Sequence, residues 1–167
     1  MEVIFKRRSI RRYQDKEVEK EKIEKLLRAA MQAPSAGNQR PWEFIVVKDK
    51  AILEKLSSVS PYSKMIAKAN LAIVLLCNKK YMKYPEYWQQ DIAAATQNLL
   101  LEAVYLGLGA VWLGIAPLKE RMEYVKGIFN LPENIDVFSI VPVGYPLEEN
   151  KFVDRYEENR VKFDRYE

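Results

Sequence analysis

The first group of residues that could do chemistry is a basic run near the start of the chain, Lys6–Arg12. Five of its seven residues are Lys or Arg, and Ser9 lies among them. Guanidinium groups bind phosphate oxygens through forked, charge-assisted hydrogen bonds, and a hydroxyl group adds a further ligand. The run therefore indicates a small-anion site. A solvated basic surface and a nucleic-acid-binding segment are the alternatives that the spacing leaves open.

A second candidate is the loop at 33–42, with the sequence APSAGNQRPW. Its composition is typical of a loop, and Ser35, Asn38 and Gln39 could form a hydrogen-bonding platform for a polar planar ligand. The alternative is a plain helix-to-strand connection in which Trp42 fills part of the core.

The residue types that are missing limit the possible chemistry. The chain has no histidine and one cysteine, Cys77. Ser-His-Asp and Cys-His catalysis are thereby excluded, together with disulfide scaffolds and multi-cysteine metal sites, and we expect no bound metal. Cys77 lies in the apolar segment LAIVLLC, which predicts a buried strand residue and not a nucleophile. If the chain is an enzyme, a cofactor must supply its reactive group.

The element that must position these residues is an apolar helix predicted from Asp91 to Leu106. This stretch contains no Pro or Gly and is apolar on nearly all sides, which is typical of a buried helix. Asp91, Asn98 and Glu102 form one polar stripe along it. Burying unpaired polar groups is costly, so a second copy of the helix or a bound ligand must satisfy the stripe. The glycines at 107–114 then allow a close backbone approach to a flat ligand.

The remaining sequence predicts alternating helices and strands. Helices are expected over 18–32, after the capping residue Asp49, over 61–69 and over 118–129, and strands over 43–48, 71–77, 110–114 and 136–144. The continuous apolar run at 71–77 predicts a central strand. Pro142 predicts that the last strand lies at an edge of the sheet or carries a bulge.

The composition is that of one ordinary globular domain spanning residues 1–167. The chain is 49% hydrophobic and 30% charged, with a formal net charge of +4. No signal peptide or membrane-spanning run is recognised, so we expect a cytoplasmic protein. The polar tail at 147–167 contains aromatic residues but cannot form a core, so it is either frayed or laid across another surface.

Four segments, in the same order along the chain, resemble the motifs of the FMN-dependent nitroreductase family. They are Arg7–Tyr13 (RRSIRRY), 33–38 (APSAGN) followed by Pro41-Trp42, 90–114 with its QNLLL, GLG and WLG elements, and 143–146 (VGYP). Each motif alone is weak, whereas four in sequence are specific. The resemblance covers essentially the whole chain.

The resemblance implies an α+β fold with a mixed β-sheet flanked by helices. The long buried central helix would lie at the interface of a homodimer, and the C-terminal arm at 147–167 would extend onto the partner subunit. Because the tail has aromatic residues without a core, Phe152 and Tyr156 are predicted to anchor it there. The polar stripe on the helix fits pairing of the helix with its twin.

The resemblance also implies how an FMN molecule would be held. Arg7, Arg8 and Ser9 would bind its phosphate and ribityl chain, with Arg155, in preference to Lys151, completing the phosphate site. Arg11 would face the pyrimidine edge of the flavin and stabilise the negative charge that reduction builds there.

Two further segments complete the implied site. Leu113 and Gly114 would present their backbone to flavin N5. The loop residues would come from the other subunit: Pro34, Ser35, Ala36 and Asn38. Arg40 stands where family members often carry Gln, and neither its role nor that of Lys64 follows from a motif.

The function implied is hydride transfer from NADH or NADPH to FMN, followed by reduction of a nitroaromatic, a quinone or a similar small molecule. The flavin would serve both substrates in turn, without a nucleic-acid or membrane partner. The alternatives are reductive dehalogenation, fragmentation of the flavin, a non-catalytic FMN-binding protein, and nucleic-acid binding through the basic run.

Overall fold

The computed structural model describes residues 2–149 and 151–166, in which short helices and strands alternate. The helices are α1 (Glu2–Lys6), α2 (Lys20–Met31), α3 (Lys50–Ser57), α4 (Trp88–Tyr105) and α5 (Lys119–Phe129). The strands are β1 (Trp42–Val47), β2 (Leu71–Asn78), β3 (Gly109–Ala110), β4 (Leu113–Gly114) and β5 (Ile135–Gly144). Single turns of 3-10 helix occupy Ala36–Asn38, Lys64–Lys68, Lys79–Tyr81, Pro85–Tyr87 and Glu158–Arg160.

The strands form one sheet in the order β1-β2-β5-β3, and β4 also pairs with β5. Every residue of β2 is buried, which confirms the prediction of a central strand. The pairs formed by the named strands are antiparallel. A parallel contribution to the sheet comes from an isolated bridge between Ser9 and Ala110.

Of the two alternatives predicted from Pro142, the edge strand is wrong, because β5 lies between β2 and the short strands β3 and β4. The strand does carry a bulge, where its register with β2 shifts opposite Leu75 and Leu76, and this bulge lies away from Pro142. Across from β5, Val143 pairs with Ala110 and Ile140 pairs with Leu113, which leaves a gap opposite Pro142. The Pro142 carbonyl points out of the ladder and accepts a hydrogen bond from the Tyr13 hydroxyl at 3.3 Å. Since N and C=O of a strand residue face the same side, the missing N–H of the proline falls in this gap.

Two hydrophobic cores lie on opposite faces of the sheet. The first packs α2 and α4 against the sheet through residues that include Leu26, Leu75 and Leu99. The second packs α3 and α5 against the other face through residues that include Leu53 and Val125. The sheet is therefore covered on both sides by helices, as expected for a strand as apolar as β2.

The residues predicted to begin α3 and to end α4 have those roles in the structure. The Asp49 carboxylate accepts a hydrogen bond from the Ile52 N–H at 2.9 Å and caps α3. Helix α4 ends in a left-handed residue, Gly107, with φ of 71°. The Leu108 N–H then donates to the Ala103 carbonyl at 2.7 Å, which is the pattern of a Schellman motif.

Helix α4 begins one turn earlier than predicted and has 18 residues. In the part of the chain that the structure describes, no helix combines the length and the apolar character needed to cross a membrane. After α4, the single strand predicted at 110–114 is instead two pieces, β3 and β4. Val111 and Trp112 leave the ladder between them, which opens the edge of the sheet at this point.

Candidate functional site

The basic run lies beside β3 and is held there by Ile10 and by Tyr13, the residue that follows the run. The Ile10 N–H donates to the Ala110 carbonyl at 3.0 Å, and the Tyr13 hydroxyl donates to the Ile10 carbonyl at 2.8 Å. A β carbon on Gly109 would lie 2.6 Å from Ile10 Cγ2. The close approach that Gly109 permits is therefore to Ile10 of the same chain, and not to a flat ligand as the sequence suggested.

Arg7, Arg8 and Arg155 line one cavity of about 280 Å³, although they are far apart in sequence. The C-terminal arm reaches this cavity because Phe152 stacks on Phe5, with ring centroids 4.9 Å apart. The Val153 N–H also donates to the Phe5 carbonyl at 3.1 Å. The cavity thus joins the two ends of the described chain.

The charges that line this cavity are unbalanced, since three arginines stand against a single carboxylate, Asp154. Burial, followed by the neighbouring guanidinium groups of Arg155 and Arg8, lowers the pKa of Arg7 below its ordinary value. Arg8 donates from Nη1 to the Arg7 carbonyl at 2.6 Å, whereas its buried Nη2 has no hydrogen-bond partner. Within residues 2–149 and 151–166, none of the three arginines forms an ion pair. A bound phosphate would supply the missing acceptor and the missing charge, so these residues fit such a group.

A larger cavity of about 610 Å³ lies beyond the other end of the basic run. It is lined by residues from four parts of the chain, among them Arg11, Lys64, Trp112, Leu113, Gly114 and Arg121. Gly114 is exposed, and apart from Gly114 itself and its two chain neighbours no described heavy atom lies within 4 Å of the position that its β carbon would take. The backbone at Gly114 is therefore open to a ligand.

Two residues of this cavity were not placed in the site by the sequence. Lys64, in the 3-10 turn that precedes β2, was left unassigned, and Arg121 was missed. Arg121 donates from Nη1 to the Gly114 carbonyl at 3.1 Å. The sequence did contain a feature that could have drawn attention to Arg121. It lies in the first turn of a predicted helix, where a positive charge is unfavourable.

Along the chain, Ser9 lies between Arg8, which lines the first cavity, and Arg11, which lines the second. It lines a third cavity of about 210 Å³ together with Ile10, Arg11, Arg12 and Glu148. Arg11 lines this cavity and the 610 Å³ cavity, so residues 7–11 connect the arginine cluster to the exposed backbone at Gly114. A ligand with an anionic end and a planar end fits this succession.

The loop at 33–42 is held by Gln39, whose side chain is buried and fully engaged. Gln39 Nε2 donates to Asp91 Oδ2 at 2.6 Å and to the Tyr84 carbonyl at 3.2 Å. Gln39 Oε1 accepts from the Lys83 and Tyr84 N–H groups at 2.8 and 2.9 Å. Gln39 therefore positions the loop, and its predicted place in a ligand platform is wrong.

Asp91 also differs from its predicted role. Besides Gln39, its carboxylate accepts a hydrogen bond from the Ala36 N–H at 2.9 Å. Its partners thus come from the same chain, and Asp91 needs no second helix to satisfy it. The rest of the polar stripe, Asn98 and Glu102, lines an open groove of about 440 Å³ with Tyr105.

The other predicted loop residues lie away from the three cavities described above. Ser35 Oγ accepts a hydrogen bond from the Arg40 N–H at 3.0 Å. Asn38 and Arg40 take left-handed φ angles of 55° and 45°. Pro34, Ser35, Ala36 and Asn38 line none of the cavities that the basic run forms in its own chain.

The structure revises one anchor of the C-terminal arm. Phe152, which was expected to contact a partner subunit, stacks on Phe5 of its own chain. Tyr156 remains 71% exposed, and Lys151 is exposed and lines none of the cavities above.

Cys77 is a buried residue of β2, as predicted, with 1% of its surface exposed. Burial, together with the neighbouring Asp136 carboxylate, raises the pKa of its thiol to about 12. Such a thiol stays protonated near neutral pH and is not a nucleophile.

Comparison with known proteins agrees with this architecture. The Nitroreductase family profile matches residues 4–68 and 57–145. A provisionally named NADH dehydrogenase/NAD(P)H nitroreductase from Methanothermobacter thermautotrophicus is 45% identical over 166 residues, which are 99% of this chain and 87% of the relative.

Solved structures are similar over nearly the whole chain. A provisionally named NADH oxidase from Clostridium acetobutylicum is 57% identical, with a TM-score of 0.96 over 98% of this chain and 99% of that one. An FMN-dependent nitroreductase from Clostridium difficile R20291 is 34% identical, with a TM-score of 0.91 over 99% of each chain. These likenesses confirm the α+β fold class, and the chain belongs to the nitroreductase family.

Proposed function

We propose that this protein is a homodimeric, FMN-dependent oxidoreductase that takes a hydride from NADH or NADPH and reduces a nitroaromatic, a quinone or a similar small molecule. Family membership and the FMN-dependent relative from Clostridium difficile support this assignment. The observation that carries it is the succession from the arginine cluster, through Ser9 and Arg11, to the open backbone at Gly114. This succession matches the phosphate, the ribityl chain and the ring of FMN.

Arg7, Arg8 and Arg155 would hold the phosphate of FMN. The unpartnered Nη2 atom of Arg8 is the group that gains most, because an unsatisfied buried donor costs about 1–3 kcal/mol. Ser9, at the next position along the run, would bind the ribityl chain. No side chain of this cluster is required to exchange a proton.

FMN, when bound, supplies the redox chemistry that this chain's own side chains lack. Arg11 and Lys64 line the cavity that would take its ring, and their positive charges would stabilise negative charge that develops there. Leu113 and Gly114 would orient the ring through their backbone. The absence of a side chain at Gly114 keeps this surface accessible.

The second subunit would complete the site. Pro34, Ser35, Ala36 and Asn38 lie on a loop that Gln39 fixes rigidly, so the loop is suited to contacting another chain. The groove that contains Asn98 and Glu102 on α4 would take part in the same interface. A cytoplasmic location remains the expectation from the sequence.

The test begins with the purified protein. We expect a yellow, dimeric protein that is bleached by NADH or NADPH without oxygen and recovers its colour when a nitroaromatic or quinone is added. Initial rates should give parallel double-reciprocal lines, because one flavin serves both substrates in turn. A protein that binds FMN but is not bleached would be a flavin-binding protein and not this enzyme, and one that binds no FMN would contradict the whole assignment.

A further inference from the structure

We propose that Arg121 binds the anionic group of the acceptor, so that the preferred acceptors are aromatic molecules that carry a carboxylate. This inference rests on the proposed function, because it names the acceptor class for the same site. Arg121 lies in the first turn of α5, is half-buried and lines the 610 Å³ cavity beside Gly114.

The guanidinium group of Arg121 is held in place by one hydrogen bond, and its other N–H donors remain available. Its Nη1 atom donates to the Gly114 carbonyl at 3.1 Å. A guanidinium carries five N–H donors, so one such bond fixes its direction and leaves others for a ligand. Among the described residues, Arg121 forms no ion pair with an Asp or Glu.

The charged side chains that line the 610 Å³ cavity are all positive. Its lining contains Arg11, Lys64 and Arg121 but neither an Asp nor a Glu. The phosphate of FMN has its own cluster in a different cavity, and Arg11 and Lys64 are assigned to the ring. Arg121 is then the positive charge left to attract a substrate, and a planar guanidinium matches the two oxygens of a carboxylate.

Helix stability does not explain the place of Arg121. The amino-terminal turn of a helix favours negative charge, so a cation there is unfavourable. Residue 118, at the N-cap of α5, is a leucine and makes no side-chain capping bond. Arg121 therefore stands where it costs stability, next to the exposed backbone of the cavity.

The binding test uses two probes that are not reduced, benzoate and benzamide, titrated into the FMN-loaded protein. Flavin absorbance and the thermal unfolding midpoint are followed for the wild type, Arg121→Gln and Arg121→Lys. Lys119→Gln is the matched control, because Lys119 lies on the same turn of α5, is exposed and does not line the cavity. We expect the wild type and the control to bind benzoate about tenfold more tightly than benzamide, as a charge-assisted hydrogen bond implies.

In Arg121→Gln the two probes should bind equally, with unchanged FMN content, whereas Arg121→Lys should keep part of the preference. The same pattern should appear in kcat/KM for 4-nitrobenzoate and 4-nitrobenzamide, with an unchanged KM for NADH.

The proposal is overturned if Arg121→Gln still prefers benzoate. It is also overturned if this variant loses both probes equally and its KM for NADH rises, which would assign Arg121 to the electron donor. A wild type without FMN would instead contradict the proposed function, and the thermal shift with benzoate would still test Arg121.

Discussion

The Ile10 side chain occupies the space that a side chain on Gly109 would need, since a β carbon on Gly109 would lie 2.6 Å from Ile10 Cγ2. This contact presses the basic run onto the edge of the sheet beside Ala110. The position of the arginines therefore depends on the absence of a side chain in β3.

Gly109→Ala should displace the basic run and lower FMN affinity as well as stability. Overpacking of this kind costs about 1–3 kcal/mol, which should appear in chemical denaturation. Adding Ile10→Ala to this variant should restore much of the loss. Gly127→Ala in α5 is the control, because outside its own helix backbone and chain neighbours no described atom lies within 4 Å of its β-carbon position, and it should be neutral or stabilising. Equal losses in the two alanine variants would refute the contact as the cause.

Arg7→Ala should weaken FMN binding about ten- to a hundredfold, because a charge-assisted hydrogen bond contributes roughly 1.5–3 kcal/mol. Flavin fluorescence gives the dissociation constants. The control is Lys25→Ala, since Lys25 is exposed on α2 outside the three cavities of the basic run. Equal affinities in these variants would falsify the phosphate assignment.

Asp91→Ala should destabilise the protein by about 1.5–3 kcal/mol, because the buried Gln39 amide and the Ala36 N–H lose a charged acceptor. Gln39→Ala should behave similarly, and the two effects should be strongly non-additive in a double-mutant cycle. Glu86→Ala, an exposed carboxylate nearby, serves as the control. Additive effects of the two substitutions would mean that they do not act through their mutual hydrogen bond.

Truncation after Glu149 should weaken FMN binding and the dimer together. The phosphate cavity then loses Arg155, and Phe5 loses the stacked ring of Phe152, a contact worth about 0.5–1.5 kcal/mol because Phe152 itself is 56% exposed. The dimer loses the exposed Tyr156, which is expected to contact the partner subunit. Sedimentation and flavin fluorescence measure the two losses, and Arg155→Ala in the full chain isolates the first. A truncated protein that stays dimeric and fully yellow would refute both roles of the arm.

The Cys77 thiol should not react with alkylating reagents at about pH 8 in the folded protein, and it should react after unfolding. Burial raises its pKa from 9.0 to about 12, so folding favours the neutral thiol. This contribution to stability is complete below pH 9 and is lost as the pH rises toward 12. Mass spectrometry of labelled protein is the measurement, and rapid labelling of the native protein would contradict the assigned burial.

The sequence predicted the features that local patterns control. The cap at Asp49, the buried strand β2 and the apolar helix α4 each follow from residues close together in the chain. The edge-strand alternative for Pro142 and the ligand platform at Gln39 were wrong, and the contact of Phe152 with Phe5 was missed. Their surroundings come from distant segments: a gap between β3 and β4, the start of α4, and Phe5. Their environment is set by tertiary packing, which periodicity does not encode.

The residues of the candidate site also divide into those that the sequence predicted and those that only the fold reveals. The residues that the resemblance implied for the phosphate, Arg7, Arg8 and Arg155, lie around one cavity, and Arg11 and Gly114 lie around another. Lys64 and Arg121 belong to no motif, and only the folded chain brings them beside Gly114.

The stacking of Phe152 on Phe5 has a consequence for protein synthesis. Arg7 and Arg8 leave the ribosome before the strands of the sheet, whereas Arg155 leaves it only after the whole sheet has been made. The nascent protein can thus fold its sheet while its phosphate cavity is still open on one side. Cofactor capture would then be one of the last events in maturation, and a polypeptide interrupted before the arm would fold without keeping its flavin.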